Sequence, residues 1–312
     1  MVSLTLVQAI GGFELSLRAR SLSPHTISDY MRTLNSFTRF MEINPLVSRI
    51  HKEDVENYLS ASAETLCKKS LLNRHIGLSA FWTWCLNEHL VKQHIIHQIK
   101  PPRPEERIVD PLGESDIRAM LLAIQRSKPY KLNGVVKGPI DFTLPFAARN
   151  RAIILLLLDT GLRASELCGI SLRDLDLKGL HAKVMGKGDK ERLLPFSSRT
   201  GQALWKYVST RPNIRPDDPL FLSRGARRLG REELAHTLAS IGKRAKVNGQ
   251  VHPHRFRHTF AINYLRNGGD VYTLQKVLGH STMEICRRYL ALAQVDMDAA
   301  HRRASPVDNW RL

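Results

Sequence analysis

Cysteine is sparse and never paired. Cys67, Cys85, Cys168 and Cys286 stand singly, with no C-x-x-C spacing, so neither a disulfide framework nor a thiolate zinc site is expected, and a reducing cytosol is the compartment this usage implies. Long apolar runs are missing as well. The longest strongly apolar stretch, Ile153 to Leu158, is far too short to span a bilayer and fits a buried helix, so no membrane partner is expected. There is no internal repeat, no low-complexity tract, no Walker A glycine loop and no acidic cluster that would gather Mg²⁺, and we expect no cofactor and no metal. That argues against DDE transposases and most nucleases, which need carboxylates converging on metal. Met1 to Leu17 is partly apolar but is interrupted by Gln8, Gly11, Gly12 and Glu14, and it lacks a basic segment before an apolar run; an amphipathic helix is expected there.

Negative charge is the other deficit. The 312 residues hold 29 Asp and Glu against 47 Lys and Arg, a formal net charge of +18, and a polyanion such as nucleic acid is the partner this imbalance calls for. Residues 1–107 carry only +3 of the excess and residues 108–312 carry +15, so the C-terminal part generates most of the field. An apolar content of 43% is enough to bury a core in each of two domains.

The N-terminal third reads as helices. Ser23 is placed to cap and Pro24 suits a first turn, after which Ile27, Tyr30, Met31, Leu34, Phe37 and Met41 recur at helical spacing. A second helix is expected over Lys52 to Ser60 and a third from about Thr65 to Asn87, through Leu71, Leu78, Phe81, Trp82 and Leu86. Aromatics at core spacing are read as core rather than as a base-stacking surface. Lys68, Lys69 and Arg74 fall on the polar side of the third helix, where they either meet phosphates or form a solvated face. The prolines of Lys100 to Arg107 favour an extended connector, which sets the expected boundaries at 1–100 for a helical domain, 101–107 for the linker and 108–312 for a second domain.

In that second domain a helix is expected over Glu114 to Gln125, a loop over Ser127 to Pro145, and a buried helix from about Arg149 to Gly161. His181 to Met185 and Glu191 to Pro195 read as strands returning through a tight turn at Gly186-Lys187-Gly188-Asp189. From about Arg231 onward, helices are separated by Gly249, Gly268-Gly269 and Gly279. The fold class is thus mainly α with a small antiparallel β-sheet.

Four polar segments stand out: Thr160 to Leu167 with Arg163 and Glu166, the Lys187 turn, His254-Arg255-Phe256-Arg257-His258, and Leu278-Gly279-His280-Ser281 followed by Tyr289. Each alone has a structural explanation: an (i, i+3) ion pair, a solvated turn lysine, a helix start, a helix stop. In this order they resemble the tyrosine recombinase and integrase family, which includes the Xer recombinases and lambda integrase, and the resemblance spans nearly the whole chain.

The resemblance implies that residues 1–100 are a helical, SAM-like core-binding domain that binds DNA and residues 108–312 a catalytic domain, which together clamp duplex DNA. It makes Arg163 and Arg257 the clamp arginines, Lys187 the hairpin lysine, His254 and His280 polar members of the site, and Tyr289 the nucleophile. Two guanidiniums can hold the non-bridging phosphate oxygens while the tyrosine attacks in line, giving a 3′-phosphotyrosine and a free 5′-hydroxyl. Lys187 would protonate the leaving oxygen, His254 would assist at the phenol, and His280 would bond a non-bridging oxygen. Glu166 would orient His254 or an arginine. His258 is a rival to His254, Lys190 is a rival to Lys187, and Cys286 is read as packing.

The expected activity is site-specific recombination serving DNA integration, excision or resolution. By the same resemblance, four protomers assemble on two specific DNA sites, accessory directionality proteins take part, and the tail from Ala291 to Leu312, with Leu292, Val295 and Trp310, packs on an adjacent subunit or on its own core. A type IB topoisomerase, which relaxes supercoils as a monomer, and a non-catalytic DNA-binding protein are the other classes that fit parts of the pattern.

Overall fold

The computed structural model describes residues 3–104, 110–125, 130–132, 135–137, 146–186, 191–279, 283, 286, 287, 289, 290, 301 and 305–310. The chain divides into two compact units, Met1–Ile108 and Val109–Leu312.

The first unit is all helical, with α1 (Leu6–Ala19), α2 (Pro24–Met41), α3 (Lys52–Ala63) and α4 (Lys68–Asn87). Local sequence explains the starts. Thr5 and Gln8 form a reciprocal capping box on α1, and the Ser23 hydroxyl accepts the Thr26 N–H with Pro24 in the first turn of α2. Apolar residues three and four apart then point inward: Leu6, Ala9, Ile10, Phe13 and Leu17 from α1 meet Leu34 and Phe37 from α2 and Leu78, Phe81 and Trp82 from α4. The aromatic stripe is core. Phe13 meets Phe81 edge-on at 5.6 Å, Phe37 meets Tyr58 at 5.2 Å and Phe81 meets Trp82 at 5.4 Å. Buried rings of this size each contribute about 1.5–3 kcal/mol by leaving water, which holds them here rather than in a base-stacking face.

The second unit wraps α5 (Glu114–Gln125), α8 (Ser198–Val208) and α10 (Pro253–Arg266) around a central α6 (Ala147–Thr160). Most of helix α6 is covered by these neighbours, with Arg151 left on an exposed edge; Ile153, Ile154, Leu156 and Leu157 are each at most 1% exposed. A short α7 (Ala164–Gly169) follows, then an antiparallel sheet of β3 (Leu175–Asp176), β4 (His181–Met185) and β5 (Glu191–Pro195), ordered β3-β4-β5 with Ala182 opposite Leu194. Ala182, Val184 and Leu194 face the core, as strand alternation requires. Helices α9 (Arg231–Arg244) and α11 (Val271–Leu278) complete the described elements, with a short turn of helix at Pro306–Trp310.

Two departures from the expectations are local. The segment Ser127 to Pro145 is not all loop: β1 (Tyr130–Leu132) and β2 (Val135–Lys137) pair antiparallel, with Lys131 opposite Val136. Backbone pairing formed there although the Gly, Pro and Lys content reads as loop. Helix α8 was not anticipated, yet it carries an N-cap signal, the Ser197 hydroxyl accepting the Thr200 N–H, and inward Ala203, Leu204 and Tyr207.

Candidate active site

Helix α6 ends at Gly161, which is left-handed (φ 62°). A side chain there would meet two obstacles: the unfavourable backbone, and Phe260, whose Cδ1 would lie 2.5 Å from a Cβ. The sharp exit lets the next turn present Arg163 as the N-cap of α7. The Arg163 backbone N–H donates to Glu166 Oε2 at 2.9 Å, its Nη1 to Glu166 Oε1 at 2.8 Å, and its Nη2 to the Gly279 carbonyl at 2.9 Å.

Arg257 reaches the same place from α10. Its Nη1 donates to the Gly161 carbonyl at 2.8 Å and its Nη2 to the Leu278 carbonyl at 2.6 Å, and the residue is only 5% exposed. Leu278 and Gly279 are the last residue and the cap of α11, where carbonyls lack helical partners and the helix dipole favours cations. The two arginines therefore hold consecutive carbonyls and lie side by side. Burial first and the charge of Arg163 second push the Arg257 guanidinium down to about 10, which still leaves it cationic at neutral pH.

A third arginine, absent from the expected set, joins them. Arg192 on β5 donates through Nη1 to Glu166 Oε1 at 3.0 Å, through Nη2 to Glu166 Oε2 at 2.8 Å, and through Nε to the Val277 carbonyl at 3.1 Å. Strand alternation was its only sequence signal, because it shares the inward face of β5 with buried Leu194. Burial alone would raise the Glu166 carboxyl; the hydrogen bonds from Arg192 and Arg163 outweigh it and hold the group below the ordinary carboxylate range. Glu166 thus bonds two arginines. Among the described residues, three guanidiniums lie around this one carboxylate, so the region keeps an excess of positive charge suited to a phosphate.

Pro253 opens α10, with His254 exposed in its first turn, one helical turn before buried Arg257. Partial burial, then Arg257 and Arg163, lower the His254 imidazole below 6.5, so it is neutral at pH 7 and able to take a proton. His258 is half-buried and lowered in the same direction, by burial first and then by His254. Its ring stands edge-on to Tyr289 at 5.4 Å. Tyr289 is 4% exposed, in a cluster with Ala261, Ile262, Leu265, Leu274 and Leu278. Burial raises its phenol above 10, while the charges of Arg257 and Arg163 act on it in the opposite sense. Cys286 is buried, and burial raises its thiol.

The structure thus brings Arg163, Glu166, His254, Arg257 and Tyr289 to one region. Lys187, Lys190 and His280 lie outside the described residues, as do Leu292 and Val295 of the tail; Trp310 is 71% exposed. In the first unit Lys68 and Lys69 are exposed at the start of α4. Arg74 is half-buried: its guanidinium lies 5.2 Å from the Tyr58 ring centre and donates to the Ser62 hydroxyl, so it has a packing role as well. It also borders a groove of about 520 Å³ between α2 and α4, together with Arg32, Arg39, Ser70 and Asn73. Arg32 and Arg39 were not singled out in the sequence. Among the described residues no group of three or more His, Cys, Asp or Glu side chains could hold a metal, and no helix is long and apolar enough to cross a membrane.

Residues 136–295 match the phage integrase family and residues 10–89 match the N-terminal SAM-like domain of phage integrases. The chain is 30% identical over 293 residues to tyrosine recombinase XerC of Escherichia coli O157:H7, covering 91% of this chain and 93% of that protein. It is 29% identical over 307 residues to tyrosine recombinase XerC of Pelobacter propionicus, covering 96% of each. Among solved structures, the Tn1549 transposon integrase in complex with a circular intermediate DNA shares the fold with a TM-score of 0.73 at 18% identity, over 96% of this chain and 100% of that one. A lambda integrase dimer bound to a core site does so with a TM-score of 0.72 at 15% identity, over 90% and 97%.

Proposed function

The chain belongs to the phage integrase family, and from that premise we propose that this site-specific tyrosine recombinase cuts and rejoins duplex DNA with Tyr289 as its nucleophile and Arg163 and Arg257 as its phosphate clamp. The observation that carries the reading is the seating of both arginines on the consecutive carbonyls of Leu278 and Gly279, with Tyr289 inside their field.

The chemistry follows from that charge. A phosphodiester bound at the arginine pair places its non-bridging oxygens against the guanidiniums, which stabilise the extra negative charge of the five-coordinate transition state. The Tyr289 oxygen forms a bond to phosphorus as the bond from phosphorus to the 5′-oxygen breaks. The phenol of a tyrosine is a weak acid, and burial weakens it further here, so its proton needs an acceptor; His254, neutral at pH 7, is assigned that role. Lys187 is assigned the protonation of the departing 5′-oxygen and His280 a bond to a non-bridging oxygen, both on the strength of the family pattern. The products are a 3′-phosphotyrosyl enzyme and a 5′-hydroxyl. Attack by the 5′-hydroxyl of another strand reverses each bond change and joins that strand, and the ester keeps the bond energy throughout.

Tyr289 is nearly inaccessible, so its phenol must be uncovered before attack. Partner protomers or DNA would supply the contacts that do so, and four protomers on two DNA sites is the assembly we assign. Lys68, Lys69 and the arginines of the α2–α4 groove are assigned phosphate contacts in residues 1–100, with 101–107 as linker and 108–312 as the catalytic domain. The test uses a nicked duplex that traps the intermediate. The parent chain should form a covalent adduct, and Tyr289→Phe should form none while binding DNA as before. An adduct that survives Tyr289→Phe would remove the assignment.

A further inference from the structure

Three consecutive carbonyls at the end of α11 each hold a different arginine: Val277 accepts from Arg192, Leu278 from Arg257 and Gly279 from Arg163. Arg192 also takes both oxygens of Glu166, the carboxylate that bonds Arg163. From this juxtaposition we infer that Arg192 is a positioning residue, which offsets the charge of Glu166 and locks the end of α11 so that Arg163 keeps its charge and orientation for the phosphate. The inference rests on the proposed phosphate clamp.

The electrostatic argument starts from Glu166, whose side chain is only 3% exposed. A buried carboxylate bonded to Arg163 alone would form a neutral pair and draw Arg163 away from an incoming phosphate. With Arg192 present, Glu166 accepts four hydrogen bonds, two from Arg163 and two from Arg192, which fill the acceptor sites of an ionised carboxylate. Glu166 can then fix Arg163 without neutralising the pair of arginines. The third bond, from Nε to Val277, ties the same guanidinium to the helix end whose next two carbonyls seat Arg257 and Arg163. Arg192 belongs to β5, the strand that returns from the turn holding Lys187 in sequence, so one side chain links that strand to the clamp. Its side chain is 14% exposed, which leaves it little room to serve as a surface DNA contact.

Lysine cannot reproduce the arrangement, because one ammonium cannot make the planar paired contact to Glu166 and also reach Val277. Glutamine removes the charge and leaves Glu166 with Arg163 alone. The discriminating measurement is the rate constant for covalent adduct formation on a nicked duplex at saturating DNA, beside DNA affinity for the same full-length variants. Arg192→Gln should lower the rate by about tenfold to a hundredfold, somewhat below the effect of deleting a direct transition-state donor, with affinity unchanged. Glu166→Gln added to Arg192→Gln should raise the rate again, since no uncompensated carboxylate remains beside Arg163. A purely structural role would give a double variant no faster than the single one, and that result overturns the inference, as does a parental rate in Arg192→Gln. If Arg192→Gln does not fold, Arg192→Lys carries the same decision: a reduced rate supports the paired-contact role and a parental rate overturns it. A parent chain that forms no adduct would instead overturn the proposed function, so the two failures are separable.

Discussion

Replacing Arg257 with lysine perturbs two properties that the structure ties to one side chain. Arg257 is 5% exposed, and its two donors satisfy the Gly161 carbonyl at 2.8 Å and the Leu278 carbonyl at 2.6 Å, both buried. A single ammonium reaches at most one of them, and the other is left without that partner at a cost of about 1–3 kcal/mol. For a unit of this size that lowers the melting midpoint by roughly 2–4 °C per kcal/mol. The phosphate loses a planar donor held ready for it, which costs roughly a hundred- to a thousandfold in rate. Thermal unfolding of Arg257→Lys, with single-turnover adduct formation on a nicked duplex at saturating DNA, reads both effects. A variant that melts and cleaves like the parent refutes the reasoning, because charge alone would then suffice and the paired carbonyl seating would be incidental.

The histidines set a pH dependence with a definite sign. His94, His252, His254 and His258 are all lowered below 6.5, each by burial first, so the unfolded chain binds more protons than the folded one. Their contribution to stability is therefore complete above pH 6.5 and is lost as pH falls through the folded values; urea unfolding across that window should show stability decreasing with acid. Cleavage should rise with pH through the lowered His254 range and level off by neutrality, and a rate that falls across the same interval contradicts His254 as the proton acceptor. Gly161→Ala should destabilise the second unit by at least about 1 kcal/mol, from its left-handed backbone and its approach to Phe260, as measured by thermal unfolding.

The legible parts of this molecule are local. Helix α2 could be placed because Ser23, Pro24 and the run from Ile27 to Met41 are decided within a few residues of one another, and α6 because Ile153 to Leu158 is an unbroken apolar run. Arg163 and Arg257 stood out because their segments match a known order of motifs. Arg192 did not, since its partners lie 26 residues before it and 85 after it, and strand alternation with Leu194 marks only which face it is on, not what it bonds. The packing side of Arg74 was not legible for a related reason: the position on α4 reads as polar, and Tyr58 and Ser62 of α3, which supply a ring and a hydroxyl to it, lie 16 and 12 residues away. The pairing of β1 with β2 escaped notice because the Gly, Pro and Lys content of Ser127 to Pro145 reads as loop.

The most direct check of the central claim is to digest the trapped protein–DNA adduct and find by mass spectrometry which residue carries the nucleotide. The account predicts a single phosphotyrosyl linkage on the peptide containing Tyr289, whose ring lies in the field of Arg257 and Arg163. Attachment at Tyr264, at Tyr272 or at a serine would contradict it, because the arginine pair would then be serving no nucleophile of its own.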